Sequence, residues 1–221
     1  MYDVKFKRQS DGVTKLSYTD WGLLVAPVTI SAPTPQTYYV EIVGREGSLD
    51  LSEALGGMHY KDREISLVFT TSVSMKDIYS KYSQVCNFLH GQKVDITLPD
   101  DSNFYYSGRC SIGNLARARR TGQIEVKAIV EPYKYKNNVT TVTKTIGTTP
   151  DTVTLTNLKM ATIPLITTTD SVKFEYGSAT YNWEAGEHYN TSILLKEGDN
   201  VFTFIDDSSG SVTFEYQEGK L

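Results

Sequence analysis

Apolar and polar side chains alternate one for one along much of this chain, and few architectures can satisfy a period of two. Tyr2, Val4 and Phe6 alternate with Asp3, Lys5 and Lys7, and Ile65, Leu67 and Phe69 alternate with Ser66 and Val68. In an extended backbone, successive side chains point to opposite faces, so such runs lay one face on a core and leave the other in water. Leu23–Ile30 reads as a more fully buried strand and Tyr38–Val43 as another. Phe104–Ala118 and Ile124–Val130, joined by a turn around Arg120-Thr121-Gly122, read as one long hairpin. The 15 tyrosines, against 8 Phe and 2 Trp, suit this reading, because flat aromatic side chains pack well on a pleated surface.

One segment departs from the pattern. In SMKDIYSKYSQVCNFLHG the apolar residues Ile78, Tyr82, Val85, Cys86 and Leu89 recur at helical spacing. Ser74 is placed as an N-cap with Asp77 three residues on, and Gly91 as the terminator. The spacing therefore predicts one amphipathic helix over about 75–90, laid against a sheet face.

After Pro132-Tyr133-Lys134-Tyr135-Lys136 the composition shifts. NNVTTVTKTIGTTPDTVTLTN is thick with threonine and reads as a junction. Short strands follow at Thr152–Thr156, Ile163–Thr168, Val172–Tyr176, Ala179–Trp183, Tyr189–Leu195, Val201–Ile205 and Val212–Tyr216. Strands of that length and spacing indicate a small antiparallel sandwich or jelly roll. Two β-rich domains are expected, 1–136 and 137–221. The charge divides at the same place. Residues 1–136 hold 17 Lys/Arg against 15 Asp/Glu, and residues 137–221 hold 5 against 11. Neither part is basic enough to hold nucleic acid by general phosphate attraction.

Motifs of chemistry are missing. Gly44-Arg45-Glu46-Gly47-Ser48 has the wrong glycine spacing for a phosphate loop, lacks its lysine, and sets Glu46 where an anion would sit. His59, His90 and His188 have no partner at metal-ligand spacing; His90 reads as a cation at the helix end and His188 as a turn residue. Cys86 and Cys110 read as reduced and buried, and no nucleophile elbow is present. No enzyme activity, metal or cofactor is expected. No run approaches the length of a membrane span, and the N-terminus lacks the apolar stretch of a signal peptide. The basic run Arg117-Ala118-Arg119-Arg120 reads as the solvated tip of the long hairpin. Trp183 is the residue a sugar-stacking surface would use, and a stand-alone carbohydrate-binding β-sandwich is the alternative function.

The order of certain residues carries more information than their composition. Asp20-Trp21-Gly22-Leu23 is followed by Val43-Gly44-Arg45-Glu46-Gly47-Ser48-Leu49-Asp50-Leu51 and by Tyr60-Lys61-Asp62-Arg63-Glu64-Ile65. Then come Gly91-Gln92-Lys93, Phe104-Tyr105-Tyr106 and Glu131-Pro132-Tyr133-Lys134-Tyr135. This succession resembles the distal tail proteins of long, non-contractile-tailed bacteriophages. Ile163-Pro164-Leu165-Ile166, the Glu184-Ala185-Gly186 turn, Gly198-Asp199-Asn200 and Gly210-Ser211-Val212-Thr213-Phe214 are similar to the galectin-like C-terminal sandwich of the same proteins.

The resemblance implies a mainly β chain: an N-terminal β-sandwich-like domain with one α-helix, then a galectin-like antiparallel β-sandwich. It implies a structural virion protein at the distal end of the tail, made in the bacterial host cytoplasm. Six copies would close a ring joining the tail tube protein to the tail-tip or baseplate proteins, the tail-associated lysin and the receptor-binding proteins. DNA would meet it only in transit through the lumen, and no membrane is involved. The charged loop 44–63 and the hairpin tip supply the expected interface residues: Arg45, Glu46, Asp50, Arg63, Arg117, Arg119 and Arg120.

Overall fold

The computed structural model describes residues 2–54, 56–71, 77–118, 121–206 and 210–221. The chain divides into two compact units, Met1–Lys134 and Tyr135–Leu221. The first contains β1 (Lys5–Arg8), β2 (Thr14–Leu16), β3 (Leu23–Ile30), β4 (Tyr39–Glu41), β5 (Ser48–Asp50) and β6 (Arg63–Thr71). The helix α1 (Ile78–Leu89), β7 (Lys93–Thr97), β8 (Phe104–Arg117) and β9 (Gly122–Lys136) follow. Seven of these strands form one sheet in the order β2-β1-β7-β8-β9-β6-β3, and β4 and β5 form a two-stranded sheet.

That sheet is folded over on itself. β1 and β6 are four places apart in the order, about 19 Å across a flat sheet. Yet the rings of Phe6 on β1 and Phe69 on β6 lie 5.8 Å apart. Trp21 completes the contact, its ring 6.0 Å from Phe6, 6.3 Å from Phe69 and 5.7 Å from Phe88 of α1. One sheet thus supplies both walls of the sandwich-like unit. The helix presents Ile78, Val85, Phe88 and Leu89 to the interior.

The turn that carries Trp21 is pinned by Asp3. Its carboxylate accepts hydrogen bonds from the Tyr18 N–H (2.7 Å), the Thr19 hydroxyl (2.6 Å) and the Ser17 hydroxyl (3.1 Å). Burial acts to raise the Asp3 pKa, but the hydrogen bonds from Thr19, Tyr18 and Ser17 outweigh it and hold the carboxyl below its usual range. Gly22 follows at φ +68°, a conformation glycine adopts without strain, and turns the chain into β3.

Several local expectations need adjustment. The helix begins at Ile78, with Asp77 at the N-cap making no side-chain cap; Ser74 lies outside the described residues. Gly91, at φ +75°, ends it as expected. β3 is less buried than its composition suggests. It is an edge strand with Pro27 in it, its register with β6 shifts between Val25 and Val28, and only Leu23 and Val25 are buried.

The second unit contains β10 (Thr140–Thr145), β11 (Asp151–Asn157), β12 (Leu165–Thr168), β13 (Val172–Tyr176) and β14 (Ala179–Trp183). Then come β15 (Gly186–Tyr189), β16 (Gly198–Phe204), β17 (Ser211–Tyr216) and β18 (Gly219–Lys220). Two antiparallel sheets, β10-β17-β12-β15 and β11-β16-β13-β14, face each other across a phenylalanine-rich core. Phe202 of one sheet meets Phe214 of the other at 4.8 Å. The threonine-rich junction is therefore partly strand, since β10 pairs along its whole length with β17. The expected Tyr189–Leu195 strand lies instead at Gly186–Tyr189, followed by a turn in which the Ile193 N–H donates to the Asn190 carbonyl.

Trp21→Ala is expected to destabilise the first unit by about 3–5 kcal/mol, the usual cost of emptying a buried aromatic site. Chemical denaturation followed by tyrosine fluorescence would measure it. Because the Asp3 pKa is depressed, its contribution is full above the ordinary carboxyl range and is lost as pH falls through the folded-state value. The melting temperature of the native chain should accordingly fall more steeply below about pH 4 than that of Asp3→Asn, in a calorimetric pH series.

Candidate functional site

Between β3 and β6 the chain leaves the core. None of the described residues from Ala26 to Asp62 is buried. β4 and β5 form a short hairpin, with Tyr39 opposite Asp50, Val40 opposite Leu49 and Glu41 opposite Ser48. Its base is tied down. The Gln36 N–H donates to the His59 carbonyl (2.8 Å), the Lys61 N–H to the Thr34 carbonyl (2.8 Å), and the Tyr60 ring packs edge-on to Tyr133 at 6.1 Å. Among the described residues the outer end is held by its own turn, where the Arg45 N–H donates to the Ile42 carbonyl at 3.1 Å. Gly44 and Gly47 turn it with positive φ, while Tyr38, Tyr39, Ile42 and Val43 are all exposed and Val43 is fully so. Large apolar side chains left in water on one hairpin are a feature found at interaction surfaces.

Arg45, Glu46 and Asp50 all lie on this arm and are exposed. Asp50 serves the arm's own backbone, accepting the Ser52 N–H at 2.9 Å and the Ser52 hydroxyl, and these bonds hold its carboxyl below the usual range. Arg63 does not project. Only 7% exposed, it opens β6 on the same face as Ile65, Leu67 and Phe69, with its guanidinium 4.9 Å over the Tyr106 ring. Its Nε and Nη2 are buried without a hydrogen-bond partner, and burial pushes its pKa down. Arg117 is exposed and sits 5.8 Å over the Tyr79 ring, at the far end of the β8–β9 hairpin. Arg119 and Arg120 lie outside the described residues. The expected interface residues therefore fall in three places: the arm, the hairpin end and, for Arg63, the interior.

Trp183 is half-buried and already has a partner. The His188 ring stacks on it at 4.4 Å and 17° while Phe174 packs edge-on at 4.9 Å, so one indole face is covered. His188 is a residue of β15 rather than of a turn, and its Nε2 lies 2.8 Å from the Glu184 carbonyl. His90 stands at the C-cap of α1, where its Nδ1 accepts the Ile112 N–H at 3.1 Å. Cys110 is buried, and burial pushes its thiol up to about 12, far from a reactive thiolate. Cys86 is only half-buried. Among the described residues no group of three or more His, Cys, Asp or Glu could hold a metal ion, and no helix is long and apolar enough to cross a membrane.

No family model matches this chain, and no curated protein matches it in sequence. A solved structure does. The fold is similar to that of the SPP1 Dit protein (gp 19.1). The match covers 100% of both chains with a TM-score of 0.66 at 15% identity. That protein is described as a paradigm of the hub adsorption apparatus in phages that infect Gram-positive bacteria. The resemblance read from the order of residues thus holds at the level of the fold, over both units.

Arg63 offers a direct check on its placement. Burial of two guanidinium nitrogens without hydrogen-bond partners offsets the contact with the Tyr106 ring, so Arg63→Met should leave the melting temperature unchanged or raise stability by about 1–4 kcal/mol, in thermal or denaturant unfolding.

Proposed function

We propose that this chain is a structural hub protein of a phage tail, acting through assembly rather than catalysis. The observation that carries the reading is the whole-length similarity of fold to a hub protein. The exposed apolar arm supports it, because it gives the chain a protruding surface in need of a partner. Residues 1–136 form the ring-building part, with six copies closing around a lumen. Residues 137–221 form the galectin-like part, directed outward. The ring joins the tail tube protein to the tail-tip or baseplate proteins, among them the tail-associated lysin and the receptor-binding proteins. DNA passes through the lumen without being gripped, which agrees with the absence of a strong excess of cations in residues 1–136.

A closed ring needs two different surfaces on each copy, one meeting the other on the next copy around the circle. Charge separates such surfaces here. Within residues 31–62 stand Glu41, Glu46, Asp50, Glu53 and Asp62 against Arg45 and Lys61. The rest of residues 1–136 carries 15 cations against 10 anions. The arm is the acidic element of an otherwise basic domain.

Light scattering and negative-stain electron microscopy test the proposal, with the protein alone and mixed with the tail tube protein. Ring-shaped particles of six copies are expected in at least one condition. Monomers in both would overturn it.

A further inference from the structure

The ring reading leaves open what receives the arm, and one groove of the first unit matches the arm's end in its mix of apolar and charged side chains. It lies on the outer face of the sheet where β7, β8 and β9 run side by side next to the end of α1. About 630 Å³ in volume, it is lined by Asp62, His90, Lys93, Arg109, Ile129 and Glu131 among others. Ile129 is 52% exposed there, an apolar side chain amid charged neighbours. β8 and β9 pack closely beneath it, since a Cβ on buried Gly108 would come within 2.1 Å of the Ile129 carbonyl oxygen and 2.7 Å of the Val130 side chain.

The charges around Ile129 are partly committed. Lys93 stands directly opposite Arg109 across β7 and β8, a like-charge pairing that is unfavourable by itself. Glu131 relieves it by pairing with Lys93 at 3.0 Å, and Arg109 donates to the Gly91 carbonyl. Neither Arg109 nor Asp62 has an ion pair among the described residues. The groove therefore offers one apolar centre, one cation and one anion.

The end of the arm is the counterpart. Ile42 and Val43 form an exposed apolar knob, and Arg45 and Glu46 follow within three residues as an exposed cation and anion. We propose that the arm tip, residues 42–47, seats in this groove of a second copy of the chain. Val43 then covers Ile129, Glu46 meets Arg109, and Arg45 meets Asp62. This inference rests on the ring reading and names the receiving surface that reading lacks. Knob and groove are different patches of one chain, as head-to-tail closure demands.

The test uses the full chain in a Cys86→Ala background, in which buried Cys110 stays unreactive. Val43→Cys and Ile129→Cys are made as separate proteins, mixed and oxidised. A disulfide-linked heterodimer is expected, since the bridge forms only when the two Cα atoms come within about 7 Å. Charge reversal gives a second measurement. Glu46→Arg or Arg109→Glu alone should raise the concentration needed for half-assembly at least about tenfold, and the chain carrying both reversals should recover it. If the native chain forms rings while the mixed cysteine proteins give no heterodimer and Arg109→Glu assembles normally, this inference is overturned and the ring reading stands. A native chain that stays monomeric, even with the tail tube protein, takes both down. A bridge formed only within one chain carrying both cysteines also overturns the contact between copies.

Discussion

The first unit depends on the meeting of Phe6, Trp21, Phe69 and Phe88, because a single sheet can enclose a core only if its two ends are brought together. Seven strands in sequence give a ribbon with an apolar face, and that face finds cover only by folding over or by binding another element. Here both happen: Trp21 sits between the sheet's ends, and α1 lays Phe88 on the same ring. The polar half of the arrangement is Asp3, whose hydrogen bonds to Ser17, Tyr18 and Thr19 fix the turn in which Trp21 stands. Large aromatic burial supplies the energy, and a short carboxylate network supplies the direction. The second unit solves the same problem differently, with two separate sheets meeting through Phe202 and Phe214, and with buried Asn200 hydrogen-bonded to Leu155, Lys196 and Gly198 carbonyls at one end.

Val28 packs against the core from β3, but no described residue of 31–62 belongs to that core, so the arm is free to serve something else. Its hydrogen-bonded base and outer end separate two roles in one excursion. The base fixes where the arm leaves the sheet, and the end carries the apolar surface. An element with no buried residue gains little from its own chain, so the stabilisation that keeps Tyr38, Tyr39, Ile42 and Val43 apolar is to be sought in an assembly. His90, His188, Cys110 and Trp183, which attract attention in the sequence, are engaged in local hydrogen bonds, stacking or burial.

How much of this is legible in the sequence can be followed residue by residue. Alternation marks β6 and the β8–β9 hairpin, and helical spacing marks α1, since those elements each pack one continuous face. Phe88 is the helix residue that the spacing argument passes over, although it falls on the buried stripe between Val85 and Leu89. β10 is hidden because threonine is equally at home in strands and in loops, and only its pairing with β17 decides between them. Arg63 reads as a projection when its charge alone is weighed, although a contrary signal is present. It shares parity with Ile65, Leu67 and Phe69, so the alternation itself places it inward. The exposure of the arm has no comparable signal. Whether an apolar residue such as Val43 is covered depends on contacts far away in sequence, and a local pattern does not contain them.

The distribution of charge bears on the geometry of assembly. Two arms brought together about a two-fold axis would set Glu41, Glu46, Asp50 and Glu53 of each against the same residues of the other, and like charges at close range oppose that pairing. An arm placed on the basic remainder of the next copy meets the opposite sign. The repulsion is screened beyond about 8 Å at physiological salt, so it acts mainly at contact, where it discriminates between arrangements. A chain whose protruding element repels itself and whose body attracts that element is biased toward head-to-tail contacts. Such contacts either close or grow without limit. Which of the two occurs is set by the rotation between neighbours.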